Sequence, residues 1–215
     1  GMALAAKGLP TLHQLLWITV AMASARTLAM SANRIIDRRL DALNPRTAGR
    51  PLPTGRLKLA EMSALAAVSL AVFFVAAAQL NALALALAPV AAVVVVGYSY
   101  TKRFTWTSHF ALGWADGIAP AGAWIGVTGS LAWEPVLMAF IVATWIGGFD
   151  ILYACQDYRF DVEHGLHSIP QRFGIPAALT WARAMHLLTS ASLLALGIWL
   201  GLGFPYYIGW ALATA

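Results

Sequence analysis

Asn33, Asp37 and Asp41 follow one another at intervals of four. On a helix that spacing places all three on one face. Two carboxylates one turn apart make a hard, oxygen-rich site of the kind that suits Mg²⁺. That ion takes one or two carboxylates, keeps waters, and completes its shell with substrate phosphate oxygens. The bland reading is a solvated helix end whose acids pair with Arg34 and Arg38; taken alone, the run leaves the two readings level. A second run holds Asp150, Tyr153, Asp157 and Asp161, and its last two acids repeat the i, i+4 pair. Asp150 lies two turns before Asp157, in an otherwise apolar stretch. A carboxylate at membrane depth costs roughly 2.5–3.5 kcal/mol on insertion scales and marks a functional position by default. Its structural alternative is a neutral buried acid or an internal ion pair, for example with Arg26.

The two acidic pairs argue together. Each could hold one Mg²⁺, and a diphosphate could bridge the ions. Metal and cationic side chains stabilise a diphosphate as its bond to carbon breaks. The allyl cation left behind needs an apolar, aromatic-lined pocket that excludes water. Arg46, Arg50, Lys102 and Arg103 stand where such a diphosphate would lie, whereas Arg39, Arg56 and Lys58 read first as topology signals.

What must position these residues is a bundle of membrane helices. The chain has 215 residues, 60% of them hydrophobic and only 11% charged, against about 25% charged in soluble domains. So few charges cannot cover a water-facing surface. Apolar segments run over residues 9–36, 60–79, 82–100, 108–126, 133–154, 177–200 and 204–215, several near the roughly 20 residues that a membrane helix needs. The alternating short segments of a β-barrel are absent. The fold class is therefore all-α, a polytopic transmembrane bundle of about seven helices forming a single domain over residues 1–215. No cleavable leader is expected at its start.

Lys and Arg concentrate in the loops at residues 37–58, 101–103 and 155–172, and the loops between these carry none. The positive-inside rule puts the basic loops, and with them both acidic runs, on the cytoplasmic side. The net charge of +5 thus belongs to topology and is no signal for nucleic acid. The single cysteine, Cys155, excludes an internal disulfide.

The ordered motifs resemble the UbiA superfamily of intramembrane prenyltransferases. Asn33-x-x-x-Asp37-x-x-x-Asp41, followed by Arg46-Thr47-Ala48-Gly49-Arg50-Pro51, looks like its first signature. Tyr98-Ser99-Tyr100-Thr101-Lys102-Arg103 resembles its basic turn, and Asp150-x-x-Tyr153-x-x-x-Asp157-x-x-x-Asp161 with Gly165 and Ser168 resembles its second signature. The resemblance covers residues 26–174. It implies that Asp37 and Asp41 hold one Mg²⁺, with Asn33 beside them, and that Asp157 and Asp161 hold another. Arg46, Arg50 and Lys102 would bind the diphosphate, with Tyr98 near it. Asp150 would lie close to the reacting carbon or the acceptor, Tyr153 would bind substrate, and Arg26 would be a buried partner in the pocket. Short helices in the loops at 41–56 and 161–168 would cap the site. The substrates implied are a polyprenyl diphosphate and a small aromatic acceptor, met in a lipid bilayer, with a bacterial cell membrane as the location.

This sequence departs from the pattern in two places. Many members carry an acid directly after the first Asn, where Arg34 stands here, so Arg34 is left out of the metal site. Members usually have nine membrane helices, one of them before the first aspartates, so this chain is expected to be incomplete at both ends. The run Asp41-Ala42-Leu43-Asn44-Pro45-Arg46-Thr47 resembles the quinone-pathway branch that prenylates 4-hydroxybenzoate-type acceptors, including those of the futalosine route to menaquinone. Haem, chlorophyllide, homogentisate or a phosphorylated sugar are the superfamily's other acceptors. A membrane phosphotransferase would gather its acids in one dense run. A transporter would use Asp150, Asp116 and Arg26 as a relay; a structural subunit is the remaining non-enzyme reading. Trp114, Trp124 and Trp145 are candidates for an isoprenoid tunnel, with an aromatic belt as the default. His164 and His167 read as solvated loop residues, and His13, His109 and His186 carry no motif.

Overall fold

The structure is a computed structural model that describes residues 1–214; the expected end of the last segment at Ala215 lies outside the described residues. Ten helices are found in it: α1 (Met2–Ala6), α2 (Leu12–Leu43), α3 (Leu59–Leu80), α4 (Ala82–Thr101), α5 (Ser108–Thr128), α6 (Glu134–Gln156), α7 (Tyr158–His164), α8 (Ile169–Phe173), α9 (Ile175–Trp199) and α10 (Phe204–Thr214). Each of the seven apolar segments is a helix, and α1, α7 and α8 are short additions. Helices α2, α3, α4 and α6 are long and apolar enough to cross a bilayer. Val93 and Leu187 on α4 and α9 are each 71% exposed. Such side chains face lipid in an integral membrane protein, where water would make them an aggregation patch.

The chain forms two compact units. The first comprises Gly1–Thr101 and Gly122–Ser130; the second comprises Lys102–Ala121 and the chain from Leu131 onward. Within the first, α2 begins at Thr11 because a capping box closes its first turn. The Thr11 hydroxyl accepts from the Gln14 amide at 3.2 Å, and the Thr11 amide donates to the Gln14 side chain at 3.0 Å. The helix runs past the end of the apolar segment at residue 36, through the acidic run whose spacing predicts it, and stops at Asn44, which is extended because Pro45 follows it. The first acidic run therefore lies within the closing turns of α2. Helices α3 and α4 pack on α2, and Asn81 joins them. Its side chain accepts from the Ala84 amide at 2.8 Å and donates to the Ile125 carbonyl at 2.8 Å, tying the α3–α4 corner to the last turns of α5.

In the second unit α5 packs on α6 through Gly113 and Gly117, four positions apart. A Cβ at either would run into the backbone carbonyl of Ala143 or Ala139. This is the small-xxx-small contact by which membrane helices approach closely. Helix α6 packs in turn on α9 through Gly147 and Gly148, which lie against Met185 and His186, and through paired hydroxyls of Thr144 and Thr189 at 2.8 Å. Ile151, Ile169, Ala178, Ala182 and Met185 form the buried core there, with Trp106, Phe110 and Cys155 against it. Tyr206 of α10 donates to the Leu193 carbonyl at 2.7 Å and docks α10 on α9.

Candidate active site

Asn33, Asp37 and Asp41 occupy one face of α2, as their spacing predicts. Asp37 is 1% and Asp41 5% exposed, so neither acid is a solvated helix end. The Asn33 amide donates to the Asp37 carboxylate at 3.1 Å and to the Ser99 hydroxyl of α4 at 3.2 Å. Asp41 Oδ1 meets Arg50 Nη1 at 2.7 Å. Thr47 donates its hydroxyl to the Asp41 carbonyl at 3.1 Å, folding the following loop back onto the helix. The other carboxylate oxygen, Asp41 Oδ2, is buried and has no hydrogen-bond partner among the described residues. A buried, unpaired carboxylate oxygen is costly. The C-terminal end of α2 adds partial negative charge beside it. A cation fits that position by charge and donor chemistry. Among the described residues no three acidic, His or Cys side chains converge on one point. An ion there would need oxygens from elsewhere, which suits Mg²⁺ with phosphate.

The second acidic run is built differently from a simple helix end. Asp157 has φ −97° and ψ 5° and separates α6 from α7, so the second acidic run is shared between two helices. The i, i+4 relation survives because the Asp161 amide still donates to the Asp157 carbonyl at 2.8 Å. Gly165, in the left-handed region at φ 63°, ends α7 and turns the chain toward α8. Ser168 opens α8. Its hydroxyl donates to Asp161 Oδ2 at 2.9 Å and accepts from the Gln171 amide at 3.2 Å. Burial pushes the Asp161 carboxyl up to about 6; the Ser168 hydrogen bond, the Lys102 ammonium and the charge of a protonated His109 act against that rise, and the Asp157 charge adds to it. The His167 amide donates to the Lys102 carbonyl at 2.7 Å and holds the loop to the basic turn.

Asp150 lies inside α6, where its partner is His109 and not Arg26. His109 Nδ1 is 2.7 Å from Asp150 Oδ2. Arg26 is exposed on α2, contrary to its expected burial. The buried face of α2 there carries Ser24 and Leu28, and position 26 points half a turn away from both. Tyr153 is exposed and packs against Phe149, with ring centroids 4.8 Å apart and planes tilted by 59°. Tyr98 is half-buried on α4, and Arg46 is exposed. The loop at 44–57 is a chain of turns where a short capping helix was expected; the second loop does carry two, α7 and α8. His164, expected in a loop, is the last residue of α7; it is exposed and stacks on Phe160 at 4.0 Å. Trp114 lines an open groove of about 290 Å³ with Trp133, Phe140 and Trp199, whereas Trp145 packs on His186 at 5.1 Å. His109 went unnoticed in the sequence because its partner lies 41 positions away. The one available signal is a histidine placed where an apolar segment begins.

The sequence matches the UbiA prenyltransferase family over residues 1–215. It is 32% identical over 206 residues to the 4-hydroxybenzoate octaprenyltransferase of Aliivibrio fischeri strain ES114, covering 96% of this chain and 72% of that protein. The enzyme of the same name from Aeromonas salmonicida is 34% identical over 206 residues, covering 96% of this chain and 71% of its own length. The apo structure of a UbiA homologue from Aeropyrum pernix K1 has a TM-score of 0.93 and 34% identity, covering 99% of this chain and 80% of that one. A UbiA homologue from Archaeoglobus fulgidus, solved with DMAPP and Mg²⁺, shares the fold at a TM-score of 0.73 and 19% identity, over 95% of this chain and 73% of that one. The chain belongs to the UbiA prenyltransferase family. Its class is that of an enzyme, embedded in the membrane, that transfers prenyl groups.

Proposed function

We propose that the protein transfers a polyprenyl group from a polyprenyl diphosphate to an aromatic acceptor of the 4-hydroxybenzoate type, with Mg²⁺, at the cytoplasmic face of the membrane. The observation that carries this is the buried, unpartnered Asp41 oxygen beside Asp37, in a chain that repeats the carboxylate pair at Asp157 and Asp161. The names of the curated relatives support the acceptor, and the basic loops support the orientation.

Asp37 and Asp41 would hold one Mg²⁺ and Asp157 and Asp161 a second. Bound there, the ions would offset the charge that develops on the departing diphosphate. Arg46, Arg50 and Lys102 bind the same diphosphate, and Arg50 turns from Asp41 to do so. Asn33 keeps Asp37 facing the site by bridging it to Ser99. The aromatic ring attacks the prenyl carbon as its bond to the diphosphate breaks. Asp150 Oδ1 then takes the proton from the substituted ring carbon, and the electrons of that C–H bond restore the aromatic ring.

The test is transfer from radiolabelled polyprenyl diphosphate to a panel holding 4-hydroxybenzoate, homogentisate and other aromatic acids, with Mg²⁺ or with EDTA. A prenylated 4-hydroxybenzoate that forms only with Mg²⁺ supports the reading. Product on another acceptor corrects the acceptor and keeps the reaction. Absence of diphosphate release from a folded protein contradicts the reading.

A further inference from the structure

We propose that His109 is the positioning residue for Asp150, fixing its carboxylate through a neutral imidazole that takes no proton during turnover. The inference rests on the reading of Asp150 as the acceptor-side base.

His109 is the second residue of α5 and is 3% exposed. Both of its ring nitrogens are engaged. Nε2 accepts from the Ile169 amide at 3.1 Å. A backbone N–H aimed at that nitrogen uses its lone pair, so the ring proton must sit on Nδ1. From there it is donated to Asp150 Oδ2 at 2.7 Å. The imidazole is thus neutral, and protonating it would break the bond to Ile169.

The support behind His109 is rigid. Ile169 is 0% exposed in the core of the second unit. Its amide lies in the first turn of α8, one residue after the Ser168 cap that also holds Asp161. The Ser108 hydroxyl, next to His109, donates to the His167 carbonyl at 3.4 Å. Asp150 itself is open on its other side: its side chain is 34% exposed against 4% for His109. A terminal carboxylate torsion is broad when free. A charge-assisted bond to one oxygen narrows it and leaves the other oxygen presented at a fixed angle. The ring proton lost by the acceptor goes to Oδ1 and from there to water; His109, with both nitrogens committed, does not relay it.

Asparagine and glutamine separate the two bonds. The Asn amide nitrogen sits at the same number of bonds from Cβ as Nδ1, and the Gln amide reaches the position of Nε2. H109N keeps the donor to Asp150 and loses the acceptor for Ile169; H109Q does the reverse. Wild type and both variants, full-length in detergent, are assayed for kcat, for KM of polyprenyl diphosphate and for melting temperature. H109Q is expected to lose roughly 10- to 100-fold in kcat, the factor that a charge-assisted hydrogen bond carries. Its diphosphate KM and melting temperature stay near wild type. H109N melts lower and keeps the larger kcat. Equal kcat in the two variants, or a higher kcat in H109Q, overturns the proposal. If both variants fail to fold, ¹⁵N spectra of histidine-labelled wild type decide it. An Nδ1-protonated neutral ring at position 109 under the assay conditions supports it, and an imidazolium or the other tautomer overturns it. Wild type that makes no prenylated product at all fails the underlying reading of the reaction, which the variants' relative order does not touch.

Discussion

Arg50 and Asp41 meet at 2.7 Å, so the loop cation assigned to the diphosphate is tied to the carboxylate assigned to the metal. Asp41 sits in the last turns of α2 and Arg50 in the run of turns that follows Pro45. Their contact folds that run over the helix end and leaves Asp41 Oδ2 without a partner. The guanidinium neutralises one oxygen, and the other, with no hydrogen-bond partner among the described residues, is where the proposed function places an ion.

Replacing Arg50 with alanine exposes what that contact does. It removes the hydrogen-bonded cation from a buried carboxylate, leaving Arg34 as the remaining opposite charge nearby, and should lower stability by about 1–3 kcal/mol. Mg²⁺ should restore part of the loss, because it supplies the positive charge that the guanidinium gave. Melting temperatures in EDTA and in Mg²⁺ check this: the gap between wild type and R50A narrows in Mg²⁺. In turnover, KM for the diphosphate should rise on the order of tenfold or more, as expected when a charge-assisted contact to the substrate is lost.

The raised Asp161 carboxyl predicts a pH dependence with a definite sign. Its folded-state value of about 6 lies above the ordinary 3.8. Without metal the folded state holds that proton more tightly than the unfolded chain. The stability contributed by protonated Asp161 is therefore complete below about pH 3.8 and is lost as the pH rises through about 6. Metal binding requires the carboxylate, so apparent Mg²⁺ affinity should fall below about pH 6, approaching tenfold per unit. Melts with and without Mg²⁺ at about pH 5 and 7 test it, with the larger stabilisation expected at the higher pH. Ser168→Ala removes the hydrogen bond that holds the carboxyl down and should move the Mg²⁺ profile to higher pH.

Gly113 is where α5 and α6 come closest. A methyl group there meets the Ala143 backbone carbonyl, which cannot move aside as a side chain would. Gly113→Ala should destabilise the second unit by about 1–3 kcal/mol, the range for overpacking a filled interface. At Gly122 the same methyl meets nothing within 4 Å, and Gly122→Ala should be neutral or stabilising by up to about 1 kcal/mol from helix propensity. Thermal unfolding in detergent compares the two. Equal effects would contradict the assigned packing.

The helices and the two acidic runs were legible in the sequence because their signals are local. Apolar length marks a membrane helix, and i, i+4 spacing marks a shared face. The apolar segment ends at residue 36, and the i, i+4 spacing of Asn33, Asp37 and Asp41 carries the helix beyond it. The helix continues to Leu43, where Pro45 imposes the stop. At Asp157 the chain passes from α6 to α7, and the backbone keeps its i, i+4 bond across the junction. Pairings over long separation were not legible. Asp150 and His109 stand 41 positions apart, and only the packing of α5 on α6 brings them together. Arg26 shows the converse: a cation in a membrane segment reads as buried by default, yet the face it occupies is fixed by its neighbours.

The most direct measurement is diphosphate release by Asp41→Asn and Asp161→Asn, each compared with wild type in Mg²⁺ and purified under identical conditions. Amides keep the shape of both side chains and remove the charge that an ion requires. If both acidic pairs serve one reaction, each single variant loses at least about 100-fold in rate, as expected when a charge-stabilising element of the transition state is removed. The double variant then loses little more than either alone, as residues acting as a unit do. A near-wild-type rate from either single variant would contradict the claim that the two acidic pairs act together.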